Sequence, residues 1–188
     1  MSARDSGGEK KRRRSSAPAI IITLALVIIA VAAVFTVVYI SGIRYTKVSL
    51  TDGGDIKFFG TVDNDGKPLE GKLYFSDGAT AEINLTKNVI NYDNGDIYEG
   101  GIVNFLRDGE GTVTFASGDV YTGEFRNDKI TGTGVFRYAN GDEYEGELTD
   151  GRRNGYGTYT WADGSIYFGY YVNDLKEGKG KFVWADGS

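Results

Sequence analysis

The sequence predicts an all-β chain: an elongated antiparallel meander of stacked β-hairpins, preceded by one transmembrane α-helix. Three observations predict it. Gly95, Gly118, Gly141, Gly164 and Gly187 recur 23 residues apart without slippage. Between them, residues alternate with period two on both sides of a short turn. Ahead of them, residues 20–40 run IIITLALVIIAVAAVFTVVYI without a charge.

The apolar run comes first in the chain. Its 21 residues span about 31 Å as a helix, close to the hydrocarbon thickness of a bilayer. A cleaved signal peptide is the rival reading. The run is longer than a usual signal core, and no small-x-small cleavage site follows it. An uncleaved membrane helix over 18–41 is therefore expected. Arg4, Lys10, Lys11, Arg12, Arg13 and Arg14 precede it, whereas only Arg44 and Lys47 closely follow. The positive-inside rule then keeps the basic, disordered tail 1–17 in the cytosol. It sends the repeats across the cell membrane in a single pass. Residues 42–54 read as a linker.

Charge divides the chain in the same place. Residues 1–50 carry a net +6 and residues 51–188 a net −11. The acidic array is repelled by nucleic acid, so no nucleic-acid partner is expected. The chain has no cysteine, and so no disulfide framework or thiolate.

One repeat shows the logic of the array. In 118–140, Tyr121, Gly123, Phe125 and Asn127 point one way, and Val120, Thr122, Glu124 and Arg126 the other. The segment 127–131 turns the chain. Gly132, Gly134, Phe136 and Tyr138 then share a face opposite Thr133, Val135 and Arg137. Glycine inside a strand is normally weakening. Here it leaves gaps that aromatic rings from neighbouring strands can cover, replacing the second layer a sheet otherwise needs.

The segments GDIYEG (95–100), GDVYTG (118–123) and GDEYEG (141–146), each followed by a GxG pair, resemble MORN (membrane occupation and recognition nexus) repeats. Four such units start at 95, 118, 141 and 164; the fourth reads GSIYFG (164–169). Residues 55–94 match poorly. Phe58 and Gly60 stand in the Tyr and Gly places, and Leu69 replaces one glycine of the GxG. Ala81 and Ile83 occupy the Tyr and Gly places of a shortened unit. These residues read as two degenerate hairpins that cap the array. The resemblance implies a membrane-proximal scaffold that makes protein contacts and can dimerise. It transfers no active site.

The residues offer little chemistry of their own. Without histidine or cysteine, the usual general base, thiol nucleophile and zinc ligands are missing. Asp96, Asp119 and Asp142 each follow a ladder glycine, which raises a repetitive Ca²⁺ site. Turn-entry hydrogen bonding explains them better, because Ser165 takes that place in the fourth unit. No insertion builds a cleft for a carboxylate pair. No enzyme activity, cofactor or metal is expected.

Departures from the repeat point further. Opposite Tyr167, the fourth unit reads Ile166, Phe168, Tyr170 and Val172, where the third reads Glu143, Glu145, Glu147 and Thr149. With Val183 these form a candidate interface. The competing reading has a neighbouring turn or further segment covering that face. Tyr159, Trp161, Phe182 and Trp184 are an alternative site, stacking on a glycan or cell-wall ligand, or else plain core. The last strand, near 180–185, presents an edge on which a second copy could pair as a homodimer. Asn84-Leu85-Thr86 fits a glycosylation sequon.

The function expected is a non-enzymatic, single-pass, membrane-anchored scaffold that presents the hairpin array to a protein partner. The alternative is a glycan-binding module.

Overall fold

The computed structural model describes residues 26–32, 42–50 and 54–188. The chain divides into two units, 1–41 and 42–188. In the first, residues 26–32 are helical with exposed side chains. The basic tail 1–17 and the rest of the 18–41 segment lie outside the described residues. Among the described residues, no helix is long and apolar enough to cross a membrane.

The second unit is one antiparallel sheet of thirteen strands among the described residues, ordered in space as in sequence. The strands are β1 (Ile43–Ser49), β2 (Asp55–Val62), β3 (Pro68–Phe75), β4 (Thr80–Asn84), β5 (Val89–Tyr92), β6 (Ile97–Val103) and β7 (Leu106–Thr114). They continue as β8 (Val120–Arg126), β9 (Lys129–Arg137), β10 (Glu143–Thr149), β11 (Arg152–Thr160), β12 (Ile166–Val172) and β13 (Leu175–Val183). The stretch read as a linker, 42–54, contains β1. Its β-branched Ile43, Thr46 and Val48 pair with β2 from Ile43↔Thr61 to Ser49↔Asp55. No glycine signature marks that strand, which is why the 23-residue period does not reveal it.

The tyrosines explain how a single sheet builds a core. Tyr98, Tyr121 and Tyr144 are fully buried. Each ring lies over the second glycine of its GxG pair: Gly111, Gly134 and Gly157. A Cβ on Gly134 would stand 2.5 Å from the Tyr121 ring. The Tyr hydroxyl then donates to a nearby carbonyl, at 2.9 Å for Tyr98 to Gly101 and 2.8 Å for Tyr144 to Glu147. Phe125 and Tyr171 bridge successive tyrosines edge-on, at centroid distances of 5.0 Å to Tyr98 and 5.5 Å to Tyr144.

The two glycines of a pair have different tasks. Pairing runs Gly123↔Gly134 and then Glu124↔Thr131, so two extra residues bulge out. The same irregularity follows Gly100, Gly146 and Gly169. The first glycine sits in the bulge with φ of 90° at Gly109 and 67° at Gly178, and a Cβ at either would touch nothing. That glycine is there for its backbone and not for a ring, which corrects the expectation that both leave gaps.

Turns and links follow local chemistry. Asn127-Asp128 and Asn173-Asp174 have positive φ at both residues, as two-residue hairpin turns of type I′ require. Asp96, Asp119 and Asp142 reach forward one repeat and accept the amides of Ala116, Ala139 and Ala162 at 2.7–2.9 Å. These carboxylates staple one link to the next.

The N-terminal hairpins β2–β3 and β4–β5 use the same plan with other residues. The Phe58 ring covers Gly60 and Gly71, while Ala81, Ile83 and Ile90 fill the next place with aliphatic packing. Phe105, at the β6–β7 turn, stacks on Phe58 with centroids 5.2 Å apart. Those elements are four strand steps apart, about 19 Å across a flat sheet. The sheet therefore curls, and the hairpin turn closes over its inner face.

Candidate functional site

The outer face of the last two hairpins gathers the apolar residues picked out from the sequence. Ile166, Phe168 and Tyr170 are exposed, and Val172 and Val183 are half-buried on the same face. Val183 pairs directly with Ile166. Two members were not anticipated. Tyr156, between the glycines of its GxG pair, pairs with Tyr170 and is 59% exposed. Leu175 pairs with Val172 and is 72% exposed. Tyr156 is the centre: its ring lies 5.1 Å from Tyr170, edge-on, and 6.5 Å from Phe168, stacked. The pairing register could have revealed it, since the residue between the two glycines faces outward beside position 170.

The inner rings are also brought together. Tyr159, Trp161, Phe182 and Trp184 touch in series, with centroids 4.8, 5.3 and 4.4 Å apart. They end a longer run that begins at Phe115 and passes through Phe136 and Tyr138. Adjacent rings in the four are tilted by 44–58°, so they do not form a flat stacking platform. Tyr159 donates to Asp142 at 2.6 Å. That bond, with the Ala162 amide, holds the Asp142 carboxyl below its usual range. Burial, and then the same Asp142 bond, pushes the Tyr159 phenol up.

Cations sit among these rings once in most repeats. Arg107 lies over Tyr92, Tyr98 and Phe125 at 5.2–6.0 Å. Arg153 lies over Tyr144, Tyr159 and Tyr171 at 5.1–5.8 Å. Lys176 lies over Trp161 and Tyr167 at 4.5 and 4.3 Å. Burial against the rings, and then Arg153, lowers the Lys176 pKa. Such contacts are favourable on the ring faces.

Among the described residues, no three acidic side chains are grouped to hold a metal ion. Asn84 of the sequon donates its amide to Glu70 at 2.9 Å and accepts from Thr86 at 2.7 Å.

The repeat geometry has a known counterpart. Residues 98–120, 121–143, 144–166 and 167–188 each match the sequence profile of the MORN repeat. Four MORN repeats fill this part of the chain. Their frame begins at the ring-bearing tyrosine, three residues after the ladder glycine. No curated protein matches the sequence. Among solved structures, the chain is similar to the SAS-4 (dCPAP) TCP domain of Drosophila melanogaster in complex with a proline-rich motif of Ana2 (dSTIL). The two are 13% identical, with 74% of this chain and 89% of that one covered at a TM-score of 0.36. A likeness that loose carries no argument about this chain.

Proposed function

We propose that this MORN-repeat chain is a non-enzymatic interaction scaffold whose outer patch, centred on Tyr156, Phe168 and Tyr170, receives a protein partner. The observation that carries the reading is an exchange at position 170. In the second and third repeats the equivalent residue is Glu124 or Glu147 (the first has Gly101), and its carboxylate accepts a bulge amide, at 3.0 Å from the Tyr156 nitrogen to Glu147. The fourth repeat has an exposed ring there instead, edge-on to Tyr156, which in turn stacks on Phe168. A stabilising group is replaced by apolar surface, as an interface requires and a solvent-facing repeat does not. A glycan-stacking role for the inner rings is less well supported, because those rings are mutually tilted and Lys176 covers two of them.

The scaffold is tethered through residues 20–40, with its N-terminus cytosolic and the array outside. This part of the reading rests on the uncharged 21-residue run and the basic residues before it.

Two experiments test these statements. A photo-crosslinking amino acid at Phe168 in cells should give a discrete adduct that the same group at Glu145 does not. Identical adduct patterns from both positions would remove the patch. Because the chain has no cysteine, single cysteines report topology cleanly. Ser117→Cys should label with an impermeant maleimide on intact cells, and Ser15→Cys only after permeabilisation. The reverse pattern overturns the orientation, and loss of both to the soluble fraction overturns the anchor.

A further inference from the structure

The links between hairpins share one turn, in which a polar residue, a glycine and a third residue follow in order. They read Asp77-Gly78-Ala79, Asn94-Gly95-Asp96, Ser117-Gly118-Asp119, Asn140-Gly141-Asp142 and Asp163-Gly164-Ser165. In each, the first side chain accepts the amide of the third residue, at 2.8–3.3 Å. Where the third residue is aspartate, the first is a neutral donor that also bonds one of its carboxylate oxygens. Asn94 donates to Asp96 at 2.9 Å, Ser117 to Asp119 at 2.9 Å and Asn140 to Asp142 at 3.1 Å. Where the first is aspartate, the third carries no acid. In these links a carboxylate occupies one end of the turn and never both.

That exclusion has a physical reason. The other oxygen of Asp96, Asp119 and Asp142 holds the alanine amide of the next link. A second carboxylate two residues away would repel that aspartate and could not donate to it. Ser117 and the two asparagines satisfy the same bonds, but they differ in chemical durability. An asparagine followed by glycine is the pairing in which the next backbone nitrogen reaches the side-chain carbonyl carbon most readily, since no Cβ blocks the approach. Serine has no such carbon to attack.

Three Asn-Gly pairs occur in the sequence, and their surroundings differ. Asn94-Gly95 and Asn140-Gly141 are exposed at both residues, with glycine φ of 94° and 92°. Asn154-Gly155 lies in the β11 bulge. There Asn154 is half-buried and Gly155 is buried, with the Glu147 carboxylate where a Cβ would stand. In the two links the glycine amide donates to the Tyr92 carbonyl at 3.0 Å or the Tyr138 carbonyl at 2.9 Å. Freeing that amide needs only a local opening of an exposed turn, with the sheet left paired.

We propose that Asn94 and Asn140 are covalent modification sites, at which loss of the side-chain amide unlocks the staple to the next link. The glycine nitrogen attacks the asparagine Cγ, the bond from Cγ to the amide nitrogen breaks, and ammonia leaves. Water then opens the five-membered imide at either carbonyl, giving aspartate or isoaspartate. Overall, water replaces ammonia, and nothing is oxidised or reduced. Either product sets a second negative charge against Asp96 or Asp142, the combination that the links avoid. The sites are separate from the outer patch. Failure here leaves the Phe168 crosslinking result untouched.

The full chain in detergent micelles is held at mildly alkaline pH, with and without urea, then digested and read by mass spectrometry. Without urea, peptides containing Asn94 and Asn140 should take on the mass of the acid about tenfold faster than the peptide containing Asn154. In urea all three should convert alike. Conversion should speed hydrogen exchange of the Ala116 and Ala162 amides about fivefold, and leave the Ala139 amide, held by Asp119 beside Ser117, unchanged. Asn140→Asp should reproduce the change at Ala162 before any incubation. Asn140→Ser should stay unconverted, with that amide protected. Equal rates at the three sites in the folded chain, resistance of Asn94 and Asn140 there, or conversion that leaves Ala116 and Ala162 as protected as before would each overturn the proposal.

Discussion

The third hairpin, β10–β11, and the fourth, β12–β13, share an inner face and differ on the outer one. Inside, Tyr144 lies over Gly157 and Tyr167 over Gly180. Outside, Glu143, Glu145 and Glu147 give way to Ile166, Phe168 and Tyr170. The inner face is constrained because each ring must fit a bare backbone to within a fraction of an ångström. The outer face has no such duty, so a change there is free to serve binding. In a repetitive molecule, the informative residues are those that break the period where stability does not ask for it.

The largest effect should come from filling the gap beneath a ring. Gly157→Val forces the Tyr144 ring off its seat and should cost about 3 kcal/mol or more. Thr158→Val, one residue away on the opposite face, should change stability by less than about 0.5 kcal/mol. Thermal melts decide the ranking. Equal tolerance of valine at 157 and 158 would break the account of the inner face.

Next comes the bulge. Glu147→Ala removes the acceptor of the Tyr156 amide and should cost about 1 kcal/mol. Tyr170→Glu installs that acceptor in the fourth hairpin. It should hold or raise stability while abolishing the Phe168 crosslink. A marked loss of stability from Tyr170→Glu would mean that the outer rings are structural.

Much of this is legible in the sequence. The period located the tyrosines, the glycines beneath them and the hairpin turns, because each depends on local sequence and nearest neighbours alone. The outer patch was legible for β12, where alternation exposes one face. Tyr156 is legible only through the β11–β12 register, in which Gly157 pairs with Gly169 and so sets Tyr156 beside Tyr170. β1 carries no such mark, because it pairs without any glycine or turn signature. The ion pairs of Arg107 with Asp128 and of Arg153 with Asp174 were hidden for a third reason: each joins residues 21 apart, and only the type I′ turn brings the aspartate back to the arginine.

Two buried hydroxyls sharpen the comparison further. Tyr144 donates to the Glu147 carbonyl at 2.8 Å, whereas the Tyr171 hydroxyl is buried without a partner. Tyr144→Phe should therefore cost about 1 kcal/mol, and Tyr171→Phe should be neutral or stabilising. Phe125 already fills the position equivalent to Tyr171 two repeats earlier. Urea unfolding of both variants measures the difference. A loss at Tyr171 equal to that at Tyr144 would show that its hydroxyl does have a structural task.

The smallest effect separates the same two hairpins by pH. Asp142 staples the third hairpin's link through the Tyr159 hydroxyl and the Ala162 amide, and both bonds favour its charged form. Its folded pKa lies below the ordinary 3.8. Since the unfolded chain takes up the proton first, the staple's contribution is fully present above about pH 4 and is lost as pH falls through the folded value. Ser165 holds the same place in the fourth hairpin and has no carboxylate to protonate. The Ala162 amide should stay protected down to pH 4 and then lose its protection relative to its neighbours on further acidification. In Asp142→Asn that acid-linked loss should vanish. Because the carboxylate is exposed, solvent screening keeps the change small. An Ala162 amide indifferent to pH between 2 and 5 would show that the forward-reaching aspartates are turn residues only, and that the links of the two hairpins differ in composition but not in strength.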